Sequence, residues 1–158
     1  MAPIIHIDDI AKHISIIHQL QKKIILTGGC FDVIHPGHIA FLSAAKKLGG
    51  ELMVMLESDE SIRKYKGPER PIHTQQDRAL VLAHIREVDA VICLPHLSTN
   101  DAYGEILETI NPDYIAITKD DQVKQYLDIH TKKIPAKIVE VIDRKNHSSS
   151  SILAQLKT

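Results

Sequence analysis

Residues 23–38 read Lys23-Ile24-Ile25-Leu26-Thr27-Gly28-Gly29-Cys30-Phe31-Asp32-Val33-Ile34-His35-Pro36-Gly37-His38, and this stretch decides the fold. Lys23 to Thr27 is a short β-rich run with no polar alternation, the pattern of a strand covered on both faces, and Gly28-Gly29 ends it in a tight turn. After Pro36-Gly37, the segment Ile39 to Leu48 is apolar at helical spacing and stops at Gly49-Gly50. Glu51 to Leu56 then reads as a second strand. Two strands joined through a helix form a β-α-β unit, which makes the strands parallel.

Upstream, Ile7 to Lys23 places Ile10, Ile14, Ile17 and Leu20 at helical spacing behind Asp8 and Asp9, which predicts an amphipathic first helix. Downstream the alternation continues. Ser58 to Thr74, basic and poor in apolar residues, is expected to be a surface loop with one helical turn at most. Helices are expected over Gln75 to Ile85, Ala102 to Ile110 (stopped by Asn111-Pro112) and Asp121 to Ile129, with a terminal one over Ser150 to Leu156. Strands are expected over Ala90 to Leu94, Tyr114 to Thr118 and Ala136 to Ile142. The expected fold class is α/β, a Rossmann-like doubly wound parallel sheet in a single domain over residues 1–158, with an N-terminal helix over 1–22 and a core over 23–158.

At 158 residues, with 44% hydrophobic and 25% charged positions, the chain matches one ordinary globular domain. Its formal charge of -1 gives no reason to expect nucleic acid or an anionic membrane as a partner. Cys30 and Cys93 lie far apart without ligand spacing, so neither a disulfide scaffold nor a zinc site is expected. No apolar run has the length of a membrane span, and a cytoplasmic protein is expected.

In a doubly wound sheet, ligands bind at the carboxyl ends of the strands, where Gly28 to His38 falls. Gly29 lets the backbone approach a phosphate, and Pro36-Gly37 at a helix start is expected to leave unpaired amides facing an anion. His35 and His38, one Pro-Gly step apart, are placed to converge there and donate to phosphate oxygens that gain charge during transfer. Taken alone, either histidine is more simply a turn cap or a packed ring. The shared glycine turn favours the phosphate reading.

Gly29-Cys30-Phe31-Asp32 followed by His35-Pro36-Gly37-His38 resembles the G-x-F-D-x-x-H-x-G-H signature of the cytidylyltransferase-like nucleotidyltransferases. The resemblance covers nearly the whole chain. Lys64-Tyr65-Lys66 resembles the family's basic loop, whose lysines hold the triphosphate and the acceptor phosphate, and Arg78 matches the arginine that follows it. Arg86-Glu87-Val88-Asp89 is similar to the R-x-V-D element of the active site and dimer interface. Ser148-Ser149-Ser150-Ser151-Ile152 resembles the closing S-T-T-x-I signature, which receives phosphates.

The resemblance implies that His35, His38, Lys64 and Lys66 carry catalysis. It implies that Gly29, Cys30, Phe31, Gly37, Arg78, Arg86, Ser148, Ser149 and Ser150 bind nucleotide; Asp120, after a strand end, either lines the nucleotide pocket or serves the dipole of a helix start. Asp32 is either a turn cap or a residue orienting Mg2+, which otherwise arrives held by phosphates. Cys30 has no basic partner to make it a nucleophile, so no covalent intermediate is expected. The implied partners are a nucleoside triphosphate and a small phosphorylated substrate, with a homodimer as the assembly.

Within the family, the helix before the first strand, the stretch Lys66-Gly67-Pro68-Glu69-Arg70-Pro71-Ile72 and Glu57-Ser58-Asp59 resemble the heptose-1-phosphate adenylyltransferases. Gly28, Lys119 and the all-serine closing run depart from that group, and Arg144 resembles an arginine of the glycerol-3-phosphate cytidylyltransferases. Cytidylyl transfer to glycerol-3-phosphate and adenylyl transfer to FMN are the alternative chemistries. A non-catalytic nucleotide-binding regulatory domain is the alternative of another class.

Overall fold

The computed structural model describes residues 1–143. Six strands form a single sheet: β1 (Ile4–His6), β2 (Ile24–Gly29), β3 (Glu51–Leu56), β4 (Ala90–Cys93), β5 (Tyr114–Thr118) and β6 (Lys137–Ile142). All pair in parallel, in the order β1-β4-β3-β2-β5-β6. Ile24, Ile25, Leu26 and Thr27 are all buried, because helices cover both faces of the sheet and leave no face for polar alternation.

On one face α1 (Ile10–Gln19), α5 (Asn100–Ile110) and α6 (Val123–His130) bury Ile10, Ile14, Ile17, Leu107, Ile110 and Leu127 against Leu26, Met53 and Ile115. On the other, α2 (Pro36–Lys46) and α4 (Gln75–Ala83) bury Phe41, Leu42, Ala45, Ala79 and Leu82 against Ile25, Val54 and Val91. The chain winds from β2 through β3 to β4, then returns to the other flank of β2 to lay down β5 and β6. The reversal between β2 and β5 opens a crevice above their carboxyl ends.

Three local expectations need correction. The first helix begins with a 3₁₀ turn over Ile7–Asp9 and stops at Gln19, so Leu20 is 60% exposed. The chain reverses at Gln21, with φ 54°, to enter β2. The segment before this helix also supplies β1, an edge strand pairing Ile4–His6 with Val91–Cys93; three residues are too few to show a period. The expected loop after β3 begins instead with a two-turn helix, α3 (Asp59–Lys66). Its signals lie at its ends and not on an apolar face. The Ser58 hydroxyl accepts from Ser61 N at 3.1 Å, Asp59 and Glu60 fill the first turn, Arg63, Lys64 and Lys66 fill the last, and Gly67 takes φ 96°. The expected terminal helix lies outside the described residues.

Candidate active site

The crevice between β2 and β5 is a cavity of about 540 Å³. Its polar rim is built by the loop from β2 to α2. Gly29, Cys30, Phe31, His35, Gly37 and His38 all line it, as does Lys66 from the last turn of α3. Phe31 holds φ 43°, uncommon for a residue with a side chain, and its ring lies where a Cβ on Gly29 would sit, 3.0 Å away. Glycine at position 29 leaves room for this close cover, since a Cβ there would press on the Phe31 ring.

His35 and His38 converge. Their rings stack with centroids 3.8 Å apart and planes tilted by 33°. The His35 Nδ1 accepts from Gly37 N at 3.2 Å, capping α2, and this assigns its proton to Nε2. His38 Nδ1 is buried with no hydrogen-bond partner among the described residues. Burial first, then His35 and Lys66, lower the His38 pKa to about 4, so it is a neutral imidazole near pH 7.

One expectation about the anion site changes here. The first amides of α2 are not open: Pro36 has none, Gly37 N is taken by His35, and His38 N donates to His35 O at 2.9 Å. The polar groups at this rim are instead the imidazoles and Lys66, beside the positive end of the helix dipole. Cys30 lines the cavity and, against expectation, has a basic partner in Lys66; burial outweighs that charge and raises its thiol pKa, which keeps it a thiol.

Several expected site residues serve the framework. Arg78 is fully buried, and its guanidinium donates to His73 O at 3.1 Å, Cys30 O at 2.5 Å, Glu57 O at 2.8 Å and Asp59 Oδ1 at 2.8 Å. Its fork ties the β2 loop, the end of β3 and the start of α3 together, and is not free to grip a phosphate. Asp32 is likewise committed: Oδ2 accepts from Arg70 Nε at 2.5 Å, and Oδ1 from Ile72 N at 2.8 Å and His73 N at 3.1 Å. Its geometry is that of a clasp and does not offer the oxygen a magnesium ligand needs.

Arg86 lies before β4, at the amino end of a parallel sheet whose cavity is at the carboxyl end. Its side chain is 92% exposed and pairs with Glu87 at 3.1 Å. Asp89, of the same element, accepts from Lys46 Nζ and from Leu52 N at 2.6 Å, which anchors the start of β3. Lys64 is exposed on the turn that delivers Lys66 but does not line the cavity. After β5, Asp120 is exposed and Asp121 lines the cavity in its place, accepting from Val123 N at 3.1 Å. Arg144 and the serines Ser148, Ser149, Ser150 and Ser151 lie outside the described residues.

The sequence reading missed Met55, Tyr103, Tyr126, Leu107 and Ile117 and took Glu57 only as part of a resemblance, and all of them line the cavity. These come from β3, α5, β5 and α6, distant in the chain, and share no motif. Gln75 was missed as well. Its Nε2 donates to Leu56 O at 3.0 Å and Leu94 O at 2.8 Å, closing the carboxyl ends of β3 and β4. No group of three or more His, Cys, Asp or Glu side chains able to hold a metal occurs among the described residues, and no helix among them is long and apolar enough to cross a membrane.

Comparison with known proteins places this geometry in a known setting. Residues 26–155 match the family model described as cytidylyltransferase-like. The chain is 38% identical over 138 residues to the bifunctional protein HldE of Helicobacter hepaticus, covering 87% of this chain and 27% of that protein. It is 36% identical over 137 residues to the HldE of Campylobacter curvus, covering 87% and 28%. It thus spans less than a third of the length of these relatives. Among solved structures, a lipopolysaccharide core biosynthesis protein from Thermoplasma volcanium superposes with a TM-score of 0.64 at 26% identity, covering 78% of this chain and 99% of that one. Pantoate-beta-alanine ligase from Francisella tularensis, with a TM-score of 0.64 over 99% of this chain and 77% of that one, is 17% identical and shares the fold.

Proposed function

The chain belongs to the cytidylyltransferase-like family, and we propose that it is the nucleotidyltransferase which joins the α-phosphate of ATP to a phosphorylated sugar, heptose-1-phosphate, and releases pyrophosphate. The observation that carries this reading is the stacked pair of His35 and His38 on the cavity rim at the start of α2. An oxygen of the acceptor phosphate attacks the α-phosphorus in line, the new P–O bond forms, and the bond to the β-phosphate oxygen breaks. Little covalent work falls to the protein, so rate comes from positioning and from donors aimed at oxygens that gain charge.

His35 Nε2–H is one such donor. His38, held neutral, supplies another without adding the charge that two adjacent imidazolium rings would repel. Lys66 contributes a compact positive charge at the same rim. Magnesium enters as part of the Mg–ATP substrate, its charge matched by phosphate oxygens, since Asp32 is committed to Arg70, Ile72 and His73.

The sugar acceptor is supported by similarity to the HldE proteins and to the lipopolysaccharide core biosynthesis protein of Thermoplasma volcanium. The proposal includes a homodimer in the cytoplasm. Pyrophosphate release measured across four nucleotides and a set of phosphorylated acceptors tests it. ATP with heptose-1-phosphate is expected to react fastest. Reaction of CTP with glycerol-3-phosphate alone would replace the substrates, and binding of nucleotide without turnover of any pair would refute the enzyme.

A further inference from the structure

A second polar group faces the cavity apart from the histidines. Glu57 follows the last residue of β3, and its amide donates to Gly29 O at 3.1 Å, which fixes it beside the glycine turn. Tyr103, from the first turns of α5, places its hydroxyl 2.8 Å from Glu57 Oε2 and 3.1 Å from Oε1. Both side chains line the cavity, among Met55, Leu107 and Ile117.

A carboxylate set among apolar side chains is unfavourable unless it is hydrogen-bonded, and Tyr103 supplies such a bond to Glu57. Burial raises the Glu57 pKa, against the opposing pull of Tyr103, Ser61, Arg78 and His96. Tyr103 is also raised, by burial and then by Glu57, so it keeps its proton and serves as a donor. The hydroxyls of Tyr103 and Ser61 occupy only part of a carboxylate's roughly four acceptor sites. Asp32, by contrast, has both oxygens taken by the framework.

Position narrows the ligand. A nucleotide in a doubly wound sheet lies across the switch between β2 and β5. Glu57 stands on the other flank of β2, where α3 brings Lys66 and Tyr65 to the same cavity. A cation for a phosphate and an acceptor-only carboxylate, side by side on that flank, match one molecule carrying a phosphate and hydroxyls. Hydroxyls suit this carboxylate better than an ammonium would, because burial disfavours the full charge that an ammonium would pair with, and Tyr103 leaves acceptor sites open to neutral donors.

We propose that Glu57, positioned by Tyr103, reads hydroxyl groups of the phosphorylated acceptor. This rests on the nucleotidyltransferase reading. The test is steady-state kinetics of Glu57→Gln in the full chain, with ATP, magnesium and heptose-1-phosphate, beside analogues lacking single hydroxyls. Gln keeps the size and an oxygen for Tyr103.

The acceptor KM is expected to rise about tenfold or more, while the ATP KM and the magnesium requirement move by less than about twofold. An analogue lacking the hydroxyl that is read loses the same factor with the unaltered protein and little more with the variant. Tyr103→Phe, which leaves the carboxylate in place, is expected to raise the acceptor KM by a smaller factor with kcat retained. A change confined to the ATP KM or the magnesium requirement overturns the inference, as do constants unchanged by both substitutions. If no nucleotide and acceptor pair releases pyrophosphate, the enzyme reading fails separately. Calorimetric binding of heptose-1-phosphate to the unaltered protein and to Glu57→Gln then decides the inference: a weakened affinity in the variant upholds it, and equal affinities overturn it.

Discussion

The rim of the cavity and the clasp behind it come from the same stretch of sequence and handle their polar groups in opposite ways. On the rim, His35, His38 and Lys66 line the cavity, and the buried His38 Nδ1 has no hydrogen-bond partner among the described residues. Behind it, Arg78 and Asp32 have their donors and acceptors saturated by backbone and by each other's neighbours. The difference teaches that membership of a motif does not assign a residue's task. A charged group whose bonds are all met by protein holds geometry, and one left open to a cavity is available to a ligand.

The comparison breaks most severely at Arg78. Arg78→Ala removes four hydrogen bonds inside the fold and exposes three carbonyls and Asp59 to loss of their partner, so a destabilisation of about 3–5 kcal/mol is expected by denaturant unfolding. Arg78→Lys is expected to restore little, because an ammonium cannot span the three segments that the fork joins. If the protein keeps its stability and loses only nucleotide affinity, Arg78 belongs to the rim.

His38→Ala is the converse case. Pyrophosphate release is expected to fall about 10²–10³-fold, while the melting temperature stays within a few degrees. A collapse of stability with turnover intact would move His38 to the framework.

Acid should reveal the same residue without a loss of function. His38 has its folded pKa lowered to about 4 from 6.5, so the unfolded chain binds a proton that the folded one refuses. The stability it confers is complete above about pH 6.5 and is lost as pH falls towards about 4, a contribution of up to about 3 kcal/mol. His38→Gln is therefore expected to gain on the unaltered protein across that window in unfolding measured against pH. Parallel profiles would show the imidazole to be freely solvated.

Asp32→Asn is expected to cost about 2 kcal/mol by weakening the buried pair with Arg70, with the magnesium dependence of turnover unchanged. A shifted magnesium dependence would return Asp32 to the site. The smallest effect is expected at Arg86→Ala: less than about 0.5 kcal/mol in stability, since exposed pairs contribute little.

The rim was legible in sequence to the extent that its parts are contiguous. Gly29, His35 and His38 fall within ten residues, and strand, turn and helix follow one another with clear punctuation. The other wall was not legible, since Glu57, Tyr103, Ile117 and Tyr126 meet only when β3, α5, β5 and α6 assemble. The helix α3 was hidden for a different reason. Periodicity looks for an apolar face, and this helix buries only Ser61 and Ile62, leaving its caps and end charges as the signal.

From the order of residues alone came the parallel α/β class and the convergence of the two histidines at the carboxyl end of β2, where the cavity lies, because local propensity, turn chemistry and hydrophobic period are properties of neighbours along the chain. Tertiary structure decided which charged residues are consumed by the fold and which face the cavity. Whether Arg78 meets carbonyls or a phosphate depends on which segments surround it, and packing of distant elements sets that.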